Sequence, residues 1–139
     1  MSKHRGEVVV RVRGIKEAIA AVAAAAAQTN ADAATTAAEN ARARASAHPL
    51  VQRNGPHRAD ELMTAVGVAT ALRETMLATQ RRAELTDLAL ADARDEVSSA
   101  TALRKAAERL VARRIAAVDY EQRRRTQRVL DESASRRTS

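Results

Sequence analysis

The chain has 139 residues, a formal net charge of +7, no Phe, no Trp, no Cys and a single Tyr. Aromatic side chains usually anchor a compact globular core, and cysteine supplies disulfides and soft metal ligands. An aromatic core, disulfide staples and cysteine-based metal sites are therefore excluded, and the lack of cysteine fits a reducing compartment. Alanine, the best helix former, supplies most of the apolar content, while Gly and Pro are scarce, which is the composition of long helices.

The chain opens with Lys3, Arg5, Arg11, Arg13 and Lys16, followed by the run Ala18 to Ala27. A charged stretch before an apolar one is the layout of a signal peptide. Here the apolar run is mostly alanine, which partitions weakly, and Glu7 and Glu17 interrupt the approach, so the balance is against secretion. No stretch approaches the ~20 apolar residues of a membrane span.

A first helix is expected over about residues 7–47. Steps of four and three pick out Val8, Val12, Ile15, Ile19, Val22, Ala26, Thr29, Ala33, Thr36, Asn40, Ala43 and Ala47, a heptad seam that begins β-branched and ends in small and polar residues. Gly14 alone costs a helix only about 1 kcal/mol and does not stop it. The strong stop follows at 48–58. Pro49 disfavours helix at His48, Asn54-Gly55 suits a turn, and Pro56 can open a new helix.

The second helix is expected over about 59–135, with Asp60 and Glu61 suiting its positive N-terminal dipole. Its seam reads Leu62, Ala65, Ala69, Leu72, Met76, Thr79, Ala83, Thr86, Leu90, Ala93, Val97 and Ala100. At Arg104 the apolar pattern breaks, and Leu103, Ala107, Leu110 and Val111 take over as a three-residue stammer would produce, with Ile115 and Val118 continuing faintly. No proline interrupts this helix, which at 1.5 Å per residue exceeds ~100 Å. A short turn between long helices predicts antiparallel neighbours.

The expected fold is thus all-α: a single coiled-coil domain over 1–139, two long helices forming an antiparallel hairpin, the second longer and overhanging. Matching the seams places Val8 opposite Ser99 and Ala100 and leaves everything after Ala100 unpaired. From Arg104 to Ser139 there are 11 basic and 5 acidic residues, nearly all of the net charge. A lone polar helix frays or seeks a partner, so this segment is offered to something else.

Nothing in the chain assembles a nucleophile with a base, and no glycine-rich phosphate loop is present, so the protein is expected not to be an enzyme and to need no cofactor. His48 and His57 flank the turn without an evident third ligand, too few for a metal site. Leu77, Leu85 and Leu88 share one face off the seam. A widened core is the favoured account of them, an exposed docking strip the other. The Arg123-Arg124-Arg125 run could grip phosphate, but it lacks interleaved aromatics for base stacking, and Glu121, Asp131 and Glu132 flank it.

The run Gln127-Arg128-Val129-Leu130-Asp131-Glu132-Ser133-Ala134 is similar to the C-terminal pattern of the flagellar FliJ family, the coiled-coil component of the flagellar type III export ATPase complex. Lys105-Ala106-Ala107-Glu108-Arg109-Leu110 followed by Arg113-Arg114, and Ala71-Leu72-Arg73-Glu74 through Gln80, resemble further family stretches in the same order and spacing. The resemblance implies a cytoplasmic, stalk-like escort subunit, peripheral at the inner face of the cell membrane through its partners. Those partners would be the flagellar export ATPase, the cytoplasmic domain of the export gate, and other export chaperones. Carried over by position, the ATPase-binding residues would be Val12, Ile15, Ile19, Arg113, Arg114, Arg124, Arg128 and Leu130, and the gate-binding residues Val68, Leu72, Thr75 and Thr79. No nucleic acid is expected as a partner on this reading. The alternatives are a basic helical protein that binds nucleic acid and a secreted helical-hairpin protein. Secreted hairpins commonly turn on Trp-x-Gly, whereas the bend here reads Asn54-Gly55-Pro56.

Overall fold

A computed structural model of the chain describes residues 3–48 and 58–138. They form two helices, α1 (Lys3–Ser46) and α2 (Ala59–Thr138), packed against each other, and the described residues contain no strand. The expected turn at Asn54-Gly55-Pro56, and His57, lie outside the described residues.

The helix ends follow local chemistry. At the end of α1, Arg44 lies in the last turn, where a cation meets the negative end of the dipole. The Ser46 hydroxyl donates to the Arg42 carbonyl at 2.7 Å, and the Ala47 amide to the Ala43 carbonyl at 3.0 Å, occupying two of the terminal acceptors. At the start of α2 the Leu62 amide donates to the Arg58 carbonyl at 3.0 Å, and Asp60 and Glu61 occupy the first turn. Threonines are tolerated inside both helices because their hydroxyls donate back to carbonyls of their own helix, as Thr36 does to Asp32 at 2.9 Å and Thr86 to Ala83 at 2.9 Å.

Contacts divide the chain into two units, Ala20–Glu96 and the pair of stretches Met1–Ile19 with Val97–Ser139. In the Ala20–Glu96 unit the inward positions of α1 are almost wholly alanine. Ala20, Ala31, Ala34 and Ala41 are buried, and Ala24, Ala27, Ala38 and Ala45 are half-buried. The inward positions of α2 are larger: Leu90 is buried, and Ala65, Ala69, Leu72, Met76, Thr79, Ala83, Thr86 and Ala93 are half-buried. Alanine on one helix admits leucine and methionine from the other. Each buried methyl contributes only about 0.8 kcal/mol, so this is a thin core. Arg94 reinforces it by donating to the Gln28 amide oxygen at 2.7 Å, while Gln28 donates to Asp32 at 2.8 Å.

In the other unit the inward positions of α1 are Gly6, Val10, Arg13, Gly14 and Glu17, and those of α2 are Val97, Ala100, Thr101, Arg104, Ala107 and Val111. Gly6 permits a close approach: a Cβ built there would lie 2.9 Å from Cγ2 of Val111. Gly14 stands beside the Arg104 stem, and Glu17 beside Thr101 and Arg104. Residue numbers on α2 therefore fall as those on α1 rise.

These placements bear unequally on the sequence reading. The α2 seam from Ala65 to Ala100 is inward throughout, and only Leu62, 40% exposed, departs from it. The α1 seam was assigned to the wrong face. Val8, Val12, Ile15, Ile19 and Val22 are all exposed, as are the smaller residues that continue their stripe to Ala47. The inner line of α1 is the heptad two residues out of phase. It runs through Gly6, Val10, Arg13 and Glu17 and then, from Ala20 to Ala45, through alanine alone, because close packing against the bulkier α2 seam there selects small residues over apolar ones. The expected stammer is absent. The three-four alternation runs through Arg104 to Ala107 and Val111, since Arg104 lays its stem on the inner face and satisfies its charge on Glu17. The overlap also runs further than expected, to Val111 instead of Ala100, because the pairing register differs from the matched seams: Gly6 meets Val111, and Glu17 meets Thr101. Leu77, Leu85 and Leu88 are exposed, so they do not widen the core.

Candidate docking surfaces

In the Met1–Ile19 and Val97–Ser139 unit a salt bridge joins Glu17 of α1 to Arg104 of α2. Glu17 accepts hydrogen bonds from the Thr101 hydroxyl at 2.7 Å and from Arg104 Nε, and Arg104 Nη1 donates in turn to Glu108 one turn along α2. The bond from Thr101, and then that from Arg104, hold the Glu17 carboxyl below its ordinary range. The bond to Glu17, reinforced by Glu108, raises the Arg104 guanidinium above its ordinary value. These bonds tie α1 to α2 at this point.

Beyond this clasp lies a groove of about 500 Å³. Gly6 and Val9 of α1 form one side, and Val111, Arg114, Ile115 and Val118 of α2 lie among the residues forming the rest. Its lining is mostly aliphatic because α1 offers only glycine and valine there, and the inward line of α2 continues past the last residue that α1 covers. From residue 112 to residue 136 every position of α2 is exposed, including Val118 at 55%, Tyr120 at 68% and Leu130 at 56%. This is the segment rich in arginine, where Arg125 approaches Glu121 at 3.9 Å and Gln127 donates to Asp131 at 3.0 Å along the helix.

The residues assigned to the ATPase by resemblance all lie in this unit. Val12, Ile15 and Ile19 are exposed on α1, and Arg113, Arg114, Arg124, Arg128 and Leu130 are exposed on α2. Those assigned to the gate lie in the other unit and divide by face. Val68 and Thr75 are exposed, whereas Leu72 and Thr79 are half-buried on the inner face. The hydroxyl of Thr75 donates to the Ala71 carbonyl, and that of Thr79 to the Thr75 and Met76 carbonyls, each at 2.9 Å.

Sequence reasoning missed the groove. Its signal was the pair Ile115 and Val118, which extend the inward line after Val111, together with Gly6, which marks where two backbones approach. Among the described residues no group of three or more His, Asp or Glu side chains could hold a metal ion, and no helix is long and apolar enough to cross a membrane. No protein-family model, no curated protein and no solved structure matches this chain.

Proposed function

We propose that this chain is a non-enzymatic, stalk-like escort subunit of the flagellar type III protein export apparatus, which docks on the export ATPase ring and couples it to the export gate. The two helices are read as an antiparallel coiled-coil hairpin. The heptad spacing of both inner faces and the falling α2 numbers against rising α1 numbers support that reading. The observation that carries the function is the α2 segment after Val111, exposed at every position to residue 136 and rich in arginine. A helix exposed at every one of these positions has little packing to hold it, and helices in water draw most of their stability from packing. Its arginines suit an acidic surface, and the aliphatic groove at its root offers an apolar anchor beside them. The resemblance of Gln127 to Ala134 to the FliJ C-terminal pattern names the ATPase as that surface. Localisation at the cytoplasmic face of the membrane follows through these partners.

The test is binding and stimulation of the purified flagellar export ATPase by the full chain, compared with a chain ending after Val118. Stimulation by the full chain and its loss on truncation are expected. An intact chain that neither binds nor stimulates the ATPase, but retards duplex DNA at low salt with affinity falling steeply as salt rises, would replace this reading with nucleic-acid binding.

A further inference from the structure

We propose that the outer face of α1 is an interface with a second copy of this chain, the two α1 helices lying antiparallel. Α1 carries two heptad lines offset by two residues, which places them on opposite sides of the helix at 100° per residue. One line is the face that meets α2. The other, Val8, Val12, Ile15, Ile19 and onward through Thr29, Ala33, Thr36 and Asn40, is exposed throughout. From Ala18 to Ala31 α1 has no ionisable side chain on any side. A helix apolar on both faces is ordinarily an interior helix, flanked by neighbours on each side, and among the described residues α2 is the one neighbour supplied.

The outer line identifies its own partner by size and by charge. Its first half is large and branched, and its second half is small. In an antiparallel pair Val8 meets Asn40 of the other copy, Val12 meets Thr36, Ile15 meets Ala33 and Ile19 meets Thr29. Large residues fall on small ones along the whole overlap, the alternation that fills a helix interface without voids. The same register sets Arg11, on the flank of the first half, opposite Glu39, on the flank of the second, and twofold symmetry makes the pair twice. A parallel pair would instead set Arg11 beside Lys16 of the other copy, a like-charge contact. The overlap from residue 8 to residue 40 spans about 50 Å of helix. A strip about 10 Å wide on each copy brings the total to about 1,000 Å², which reaches the lower bound of a specific interface.

The proposal gives Val12, Ile15 and Ile19 a second copy as their partner in place of the ATPase that the resemblance implies for them. It leaves the α2 segment after Val111 to the export reading, and it is read out by mass, not ATPase activity. Sedimentation equilibrium of the full chain is expected to show a dimer that dissociates on dilution. Ile15→Gln with Ile19→Gln is expected to give a single-chain mass at every concentration with helical circular dichroism retained, because both side chains are exposed in the isolated chain. Arg11→Glu alone should weaken the dimer about tenfold and Arg11→Glu with Glu39→Arg should restore it, a change of the size that close interfacial charge pairs produce. Direction is read by single cysteines, since the chain has none of its own. Ala25→Cys, at the centre of the antiparallel overlap, should cross-link on mild oxidation, and Val12→Cys should not. A single-chain mass for the unaltered protein at all concentrations overturns the proposal and leaves the stripe to another protein. Cross-linking of Val12→Cys with none at Ala25→Cys overturns the antiparallel arrangement.

Discussion

Replacing glycines of the two helices by alanine one at a time tests where the backbones approach each other. Alanine is favoured over glycine inside a helix by about 0.8–1 kcal/mol, partly because glycine leaves the unfolded chain more freedom to lose. With an unfolding entropy of about 2.1 cal/mol/K per residue, a chain of 139 residues gains about 3 °C in Tm for each 1 kcal/mol. At Gly67 a new Cβ meets nothing within 4 Å, and at Gly14 it meets only the Arg104 stem at 4.0 Å. Both variants should therefore gain close to that full amount. At Gly6 the new Cβ stands 2.9 Å from Cγ2 of Val111, a stiff branched side chain that must move. Gly6 also lies in the first turns of α1, where propensity counts for less. Gly6→Ala should leave Tm unchanged or lower it, and Gly6→Ala with Val111→Ala should recover more than the two single changes together predict. Thermal unfolding followed by circular dichroism at 222 nm reads these variants and the Val111→Ala single change. A Gly6→Ala protein stabilised as much as Gly67→Ala, with no coupling to Val111, would refute the close approach of α1 to α2 at this point.

Leu90, the one large side chain among the buried residues described, should cost about 2–3 kcal/mol on replacement by alanine, the lower part of the range for leucine truncation because its neighbours are small. Leu88→Ala, two residues away and 64% exposed, should stay within about 0.5 kcal/mol by the same denaturation assay. Ala31→Leu, at a position 2% exposed, should destabilise by about 1–3 kcal/mol through overpacking. Glu17 has a lowered pKa in the fold, so its contribution is complete above its ordinary value of 4.5 and is lost as pH falls through the lower folded value. The Tm difference between the unaltered chain and Glu17→Gln should accordingly be constant near neutrality and close up in acid; a difference that persists below that window would remove the ionic role given to Glu17.

The sequence made α2 readable because its seam residues differ from their surroundings. Leu72, Met76, Leu90 and Val97 are large and apolar among Arg, Glu, Asp and Gln, so the inward line stands out by hydrophobicity alone. In α1 hydrophobicity pointed the wrong way. Val12, Ile15 and Ile19 are the most apolar residues of that helix, yet the inward line is Gly6, Ala20, Ala31, Ala34 and Ala41, chosen by size. A helix with apolar residues on all sides does not reveal which side its neighbour occupies until the neighbour's bulk is known. Arg104 misled for a related reason. A charged residue reads as a break in a seam when taken alone, and its acceptor Glu17 is 87 residues away in the chain. The same is true of the groove at Val111, whose other side is formed by Gly6 and Val9. Long-range partners of this kind leave no local mark in a sequence.

Arg104 and Glu17 also determine how far one helix can slip along the other. An alanine line repeats itself every seven residues, so sliding by one heptad exchanges methyl for methyl at little cost. At the clasp the exchange is not neutral. A slip of seven residues one way would bring Glu17 against Arg94 and Val97 and leave Arg104 facing Val10; the other way it would bring Glu17 against Glu108 and Val111 and leave Arg104 facing Ala24. Either slip parts Arg104 from its carboxylate on α1, and a charge parted from its partner is disfavoured. One polar rung thereby gives an otherwise repetitive contact a unique axial position, and it fixes how much of α2 extends beyond the start of α1.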